Sequence, residues 1–163
     1  MALAFPRRNF KNMKQFIFSI LCALTFSLTT VAQSLNDKAD NIVGEYLTDR
    51  GGSKSKIRVT KAQDGTYTAQ MFWVEHPLDK KGNKRKDVKN PDKSLRNVDI
   101  DKVVIVKGLK YIKEDKEWGD AKIYDPSKGI RVNVTAEFES PTKLKLRGTI
   151  LGIGTTLYWT KIK

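Results

Sequence analysis

Ile130-Arg131-Val132-Asn133-Val134-Thr135-Ala136-Glu137-Phe138-Glu139-Ser140-Pro141-Thr142-Lys143-Leu144-Lys145-Leu146-Arg147-Gly148-Thr149-Ile150 decides the fold class. Ile130, Val132, Val134, Ala136 and Phe138 alternate with Arg131, Asn133, Thr135 and Glu137, a period of two that buries one face of a strand and wets the other. Ser140-Pro141-Thr142 breaks the run, and Leu144, Leu146, Gly148 and Ile150 then alternate with Lys143, Lys145, Arg147 and Thr149. Two such runs around a short polar break predict an antiparallel hairpin.

The same theme repeats outward. Downstream, Gly152 and Gly154 turn the chain into a Thr- and aromatic-rich strand over 155–162. Upstream, Ile57 and Val59 alternate with Arg58 and Thr60, Asp64-Gly65 supplies a turn, and Tyr67, Ala69, Met71 and Trp73 share one side of the next strand. Shorter runs at 42–47, 103–106, 109–111 and 121–124 bring the total to about eight strands, and no long stretch has helical periodicity. A meander with one wet face throughout stacks as two sheets or closes on itself, and closure removes the strand edges that invite aggregation. The expected fold is all-β, a small eight-stranded up-and-down antiparallel barrel over residues 33–163. Its inward set is Tyr67, Met71, Trp73, Val132, Val134, Phe138, Leu144, Leu146 and either Leu157 or Trp159. Residues this large suit a filled interior as well as a small cavity. The segment 76–101 is the exception: polar, basic, without periodicity, and of a length usually reserved for functional or mobile connections.

The first 32 residues read differently. Arg7, Arg8, Lys11 and Lys14 precede an apolar run over 16–28, and Thr30-Val31-Ala32 offers small side chains to a signal peptidase, so cleavage is expected after Ala32. The run is shorter than the roughly 20 residues a bilayer span needs. An uncleaved anchor is the alternative, and Met13 is a second candidate start. Leu21 before Cys22 argues against lipoprotein processing there. The expected location is the periplasm or cell envelope of a Gram-negative bacterium. Removing 32 of 163 residues leaves 131 without a cysteine, so a packed core rather than disulfides must hold the domain. Four cations and no acid leave with the leader, which takes the net charge from +13 to +9.

Four patches resemble the DUF2147 family of exported bacterial proteins. They are Asp87-x-x-Asn90-Pro91-Asp92-x-x-Leu95-Arg96, Trp118 near a turn, Lys122-Ile123-Tyr124-Asp125-Pro126-x-x-Gly129, and Leu144-x-Leu146-Arg147-Gly148-x-x-x-Gly152 followed by Tyr158-Trp159-Thr160-Lys161. The resemblance implies a lipocalin-like β-barrel and no established biochemical activity. The chain departs from the family pattern at Tyr46, where Trp is usual, at Lys161, where Arg is usual, and at Asn97-Val98-Asp99-Ile100, which replaces an Arg-Pro. In lipocalin-like barrels that Trp and Arg pack together across the closed end, so Tyr46 and Lys161 are expected to make a weaker version of the contact.

The inventory does not favour enzymes. His76 is the only histidine, and neither a metalloprotease helix motif, a phosphate-binding Gly loop nor a cysteine pair occurs. Carboxylate pairs such as Glu75 with Asp79 or Asp125 with Glu137 are the residual catalytic option. Asp79, Asn83, Asp87, Asn90 and Asp92 are hard oxygen donors, but Lys80, Lys81, Lys84, Arg85, Lys86 and Lys89 between them repel a cation, and turn formation explains them better. No catalytic group, metal site or cofactor is assigned. Two binding readings remain. The first is a small apolar or amphiphilic ligand inside the barrel, with Trp73, Tyr124, Arg147 and Trp159 as candidate wall residues. The second is a filled barrel whose basic loop, through Lys80, Lys81, Lys84, Arg85, Lys86 and Arg96, docks on an anionic envelope surface or a partner protein. The export signal argues against nucleic acid as a partner. Oligomeric state is not legible.

Overall fold

The computed structural model describes residues 35–163, apart from the side chain of residue 150; the leader, its cleavage site and Met13 lie outside the described residues. Eight strands follow one another in order: β1 (Gly44–Arg50), β2 (Ser53–Lys61), β3 (Tyr67–Val74), β4 (Val104–Ile112), β5 (Glu117–Asp125), β6 (Ile130–Ser140), β7 (Lys143–Ile150) and β8 (Ile153–Lys161). Each pairs antiparallel with the next and β8 returns to β1, so the sheet closes as an up-and-down barrel. Turns 51–52, 126–129 and 151–152 share one end with the 75–103 connection, here called the loop end. The chain enters and leaves at the other, capped end.

The alternation of the β6–β7 hairpin survives as read. Val134, Ala136, Phe138, Leu144 and Leu146 are buried and join Ile42, Tyr46, Ile57, Val59, Tyr67, Trp118 and Trp159 in one core. Tyr46 stacks at a tilt on Trp159 with ring centroids 5.9 Å apart. The void among Val59, Ala69, Leu109, Ala136, Leu146 and Trp159 has a volume of about 10 Å³, with apolar walls. That is room for a single water-sized sphere and no polar group to hold one.

The lead-in to β1 closes the capped end. Trp118 Nε1 donates to the Ala39 carbonyl at 3.0 Å, and the Tyr111 hydroxyl to the Asn36 carbonyl at 2.6 Å. Asn36 also completes the edge of β6: its amide donates to the Phe138 carbonyl at 3.1 Å, while the Phe138 N–H donates to Asn36 Oδ1 at 2.7 Å. Lys161 stands 5.8 Å from the Tyr46 ring centroid and 5.6 Å from that of Phe138, and donates to the Asn41 carbonyl at 2.7 Å. The expected Tyr46–Lys161 contact therefore exists. Burial holds the Lys161 ammonium below its ordinary pKa.

Three expectations change. The runs at 103–106 and 109–111 belong to one strand, β4, because Gly108 at φ 75° absorbs a register shift against β3 instead of ending the strand. The final strand starts at Ile153, not 155, since the turn is the pair Leu151-Gly152. Trp73 does not face inward. Ile57 opposes Met71 while its neighbour Lys56 opposes Trp73, so Phe72 is an extra residue that flips the alternation. Trp73 turns to solvent at 38% exposure and Val74 turns in at 6%.

Closure is uneven. β1 and β2 share seven residue pairs and β7 and β8 eight, but β1 and β8 share two, Tyr46 with Lys161 and Leu47 with Thr160, both toward the capped end.

Candidate functional site

The 75–103 connection is an ordered strap. Asp79 Oδ1 accepts from the N–H groups of Lys81 and Asn83 at 2.8 and 2.9 Å, forming a tight turn closed by a bridge between Leu78 and Lys84. A second bridge joins Lys86 to Asp99, and the Asp87 N–H donates to the Val98 carbonyl at 3.0 Å. Past it, Ile100 and Val103 return to the core at 8% and 3% exposure.

The strap is pinned to the barrel's outer face by its family-like motif. Asp87, 2% exposed, accepts from the Tyr124 hydroxyl at 2.7 Å and from the Asn90 side-chain amide at 2.7 Å. Asn90 Oδ1 accepts from the Asp92 N–H at 3.0 Å, and the Asn90 carbonyl from Arg96 Nε at 2.7 Å. Burial, reinforced by the Asp87 carboxylate, drives the Tyr124 pKa far above its ordinary value. Lys89 reaches the Ser127 carbonyl at 2.6 Å, and Gly129, at φ 72°, lies so close that a Cβ there would stand 2.3 Å from the Lys89 carbonyl oxygen. Tyr124 and Gly129 thus mark where the strap lands.

The four candidate wall residues do not meet. Trp159 is inward and buried. Tyr124 faces outward beneath the strap, with the Arg131 guanidinium 4.8 Å from its ring centroid. Trp73 is on the outer surface with Lys56 5.3 Å from its ring. Arg147 lies outside as well, over Gly154, where a Cβ would come within 3.1 Å of its Nε. Inner and outer faces alternate along β7, which puts Arg147 opposite to Leu146.

The basic candidates do share the strap, yet not all as free charges. Asp99 gathers three cations: Lys86 in direct contact, Lys84 at 3.5 Å and Lys102 at 3.6 Å. The Lys86 hydrogen bond, helped by the other charges, holds the Asp99 carboxyl below its usual pKa. Arg85 donates to the His76 carbonyl at 2.9 Å. Lys80 and Lys81 are exposed at the tip of the 79–83 turn. The loop-end segments 49–54, 75–102, 125–131 and 147–156 hold fourteen Lys and Arg against eight Asp and Glu, whereas the rest of the chain from residue 35 holds thirteen against ten. Asp87 and Asn90, expected as turn formers, and Tyr124, expected in a pocket wall, instead share one hydrogen-bonded contact. Only the pairing of 87–90 with 124, 37 positions apart for Asp87, shows their shared role.

The carboxylate pairs and oxygen donors are engaged elsewhere. Glu75 accepts from the Lys54 N–H, Asp125 pairs with Arg50 at 3.1 Å, and Glu137 pairs with Lys145 at 2.9 Å. Among the described residues, no group of three or more His, Cys, Asp or Glu side chains is placed to hold a metal ion. His76 is exposed.

Comparison with solved structures finds the same architecture in protein HP1028 of the human pathogen Helicobacter pylori, described as belonging to the lipocalin family. It matches at 25% identity and a TM-score of 0.59, over 75% of this chain and 83% of that one. Comparison with curated protein sequences gives no significant match. The profile of the family described as "Uncharacterized protein conserved in bacteria (DUF2147)" matches residues 44–161. The chain belongs to the DUF2147 family. The match runs from the first residue of β1 to the last of β8, so the DUF2147 unit is the whole barrel with its strap, and the 35–42 cap precedes it.

Proposed function

We propose that this DUF2147 protein is an exported, non-enzymatic interaction protein whose filled barrel presents a basic loop end to an anionic surface of the envelope. The observation that carries the reading is the uneven charge: the loop end has the larger excess of cations, on a strap tied to the barrel through Asp87 and Tyr124. A core with about 10 Å³ of free space supports recognition by the exterior. Anionic lipid headgroups and acidic glycans satisfy such a surface, with attraction of about 1 kcal/mol per Lys or Arg near a membrane. The test is co-sedimentation of protein purified after export with phosphatidylglycerol-containing and pure phosphatidylcholine vesicles. Binding should require the anionic lipid and fade with salt. Replacing Lys80 and Lys81, the exposed cations at the turn tip, with Gln should weaken it on the order of thirtyfold; Lys84, Arg85, Lys86 and Arg96 are kept because they pair with Asp99 or brace backbone carbonyls. Unchanged binding by that variant refutes the reading.

Carriage of a small apolar or amphiphilic molecule is the second reading. It is favoured by the lipocalin-like fold and by Val132 and Leu157, core-facing residues left half-buried. Native mass spectrometry after export decides it: an excess mass lost on denaturation supports carriage, and a bare mass favours the filled barrel.

A further inference from the structure

The distal end of the β7–β8 hairpin breaks two rules at once. Ile150 pairs with Ile153, so Leu151 and Gly152 are the two central residues of the turn, at φ 47° and 80°. Positive φ at both positions defines the hairpin turn that favours Asn-Gly or Asp-Gly. A leucine in the left-handed region is strained, since its Cβ crowds the following carbonyl. This leucine gains no packing in return, being 99% exposed. Ile153 beside it is 75% exposed, and Ile130, which opens β6 at the same loop end, is 41% exposed.

The tip stands clear of the barrel wall. Leu157 and Trp159 turn inward, and the alternation assigns Thr155 and Ile153 to the same face, yet both are exposed, as are Gly154 and Thr156 on the other. Both faces of this part of β8 are wet because the β1–β8 pairing stops at Leu47 and Thr160. Segment 147–156 contains no acid and one cation, Arg147, within an end that is itself rich in cations.

We propose that this tip, Leu151 with Ile153 and Ile130, inserts into the interfacial region of an anionic lipid bilayer. The inference rests on the docking reading and specifies lipid as the surface. Convex shape, aliphatic composition and a surrounding positive field match a bilayer with negative headgroups. A protein groove is the poorer fit, because the tip lacks the aromatic residues that anchor protein interfaces and offers few polar side chains beyond threonine hydroxyls.

The experiment uses protein purified after export, phosphatidylglycerol/phosphatidylcholine vesicles, pure phosphatidylcholine vesicles, and the variants Leu151→Asn and Leu151→Trp. Asn tolerates the left-handed region, so Leu151→Asn should melt no lower than wild type, which removes misfolding as an explanation. It should bind anionic vesicles on the order of tenfold more weakly. The Leu151→Trp reporter, placed in a Trp73→Ala background so that no other exposed tryptophan responds, should shift to the blue and be quenched by brominated acyl chains. Equal binding by Leu151→Asn and wild type, or a reporter left in water while the protein is bound, overturns insertion and leaves electrostatic docking standing. Equal binding to anionic and neutral vesicles, with the reporter quenched, upholds insertion and overturns the electrostatic reading. No binding of wild type to either vesicle overturns both.

Discussion

The Tyr124 hydroxyl donates to Asp87 Oδ1 at 2.7 Å, with both residues 2% exposed, and this bond fastens the middle of the strap to strand β5. Its neighbour on the same carboxylate, the Asn90 amide, closes the Asp87-x-x-Asn90 turn. Asp87 and Asn90, the two fully buried polar residues of the strap, are paired and hold its middle in place, whereas Asp101 Oδ1 near its far end is enclosed without a partner.

Tyr124→Phe should therefore cost about 1–3 kcal/mol, the usual penalty for leaving a buried acceptor short of a donor. The loss should concentrate in the strap. Limited trypsin digestion, which has Lys and Arg targets throughout 80–96, should cut the variant there well before the wild type, and equal digestion would show that the bond does not hold the segment.

Gly129→Ala should be as damaging from the other side of the contact. The added Cβ meets the Lys89 carbonyl oxygen at 2.3 Å and the residue must keep φ 72°, which together should cost about 2 kcal/mol or more. Thermal melting gives the loss. An alanine variant as stable as wild type would mean the strap is free to lift.

Leu144→Ala should cost about 2–5 kcal/mol, as expected for a fully buried leucine in a close-packed interior. The variant, unlike the wild type, should then take up a small apolar probe such as benzene or xenon. Uptake by the wild type at similar strength would mean that the core opens by itself.

Acrylamide should quench one tryptophan class readily and leave two protected, since Trp73 is 38% exposed while Trp118 and Trp159 are 0% and 3% exposed. Trp73→Ala should remove the accessible class and change stability by less than about 1 kcal/mol, its contact with Lys56 being a surface cation–π pair. Loss of a shielded class instead would place the β3 bulge elsewhere.

Asp125 sets an acid limit. Burial pushes its carboxyl up, but the Ser127 hydroxyl and N–H and the Arg50 guanidinium outweigh that and hold it below the ordinary 3.8. With the folded pKa below the unfolded one, the contribution is complete above about pH 4 and is lost as pH falls through the lower folded value. Arg50→Gln should raise the pH at which acid melting begins. Superimposable melting-temperature profiles between pH 2 and 6 for the two proteins would exclude Arg50 from that role.

What the sequence disclosed follows the range of the forces involved. Period-two alternation is local, so β6 and β7 are legible in it, but it fits two stacked sheets as well as a closed one, and closure rests on the removal of strand edges. Phe72 carries no local mark of being an extra residue, and the parity of Trp73 failed with it. Gly108 looked like a strand break because its role in a bulge depends on the partner strand. Asp87, Asn90 and Tyr124 were visible as parts of separate motifs, and their union is a tertiary hydrogen bond that no spacing encodes. Leu151 carries no local mark, because the strain of its backbone exists only once the two flanking strands pair in register.

The two-pair junction of β1 with β8 makes this barrel a rolled sheet fastened by a clasp at one corner. Rungs of a ladder break most easily where there are fewest, so the earliest thermal opening should occur there, unrolling the sheet while the seven other strand pairings stay intact. Such an opening bares two unsatisfied strand edges on the same molecule, a template for exchange of β8 between copies. Concentrated, warmed protein should therefore give strand-swapped dimers before it gives unfolded chains.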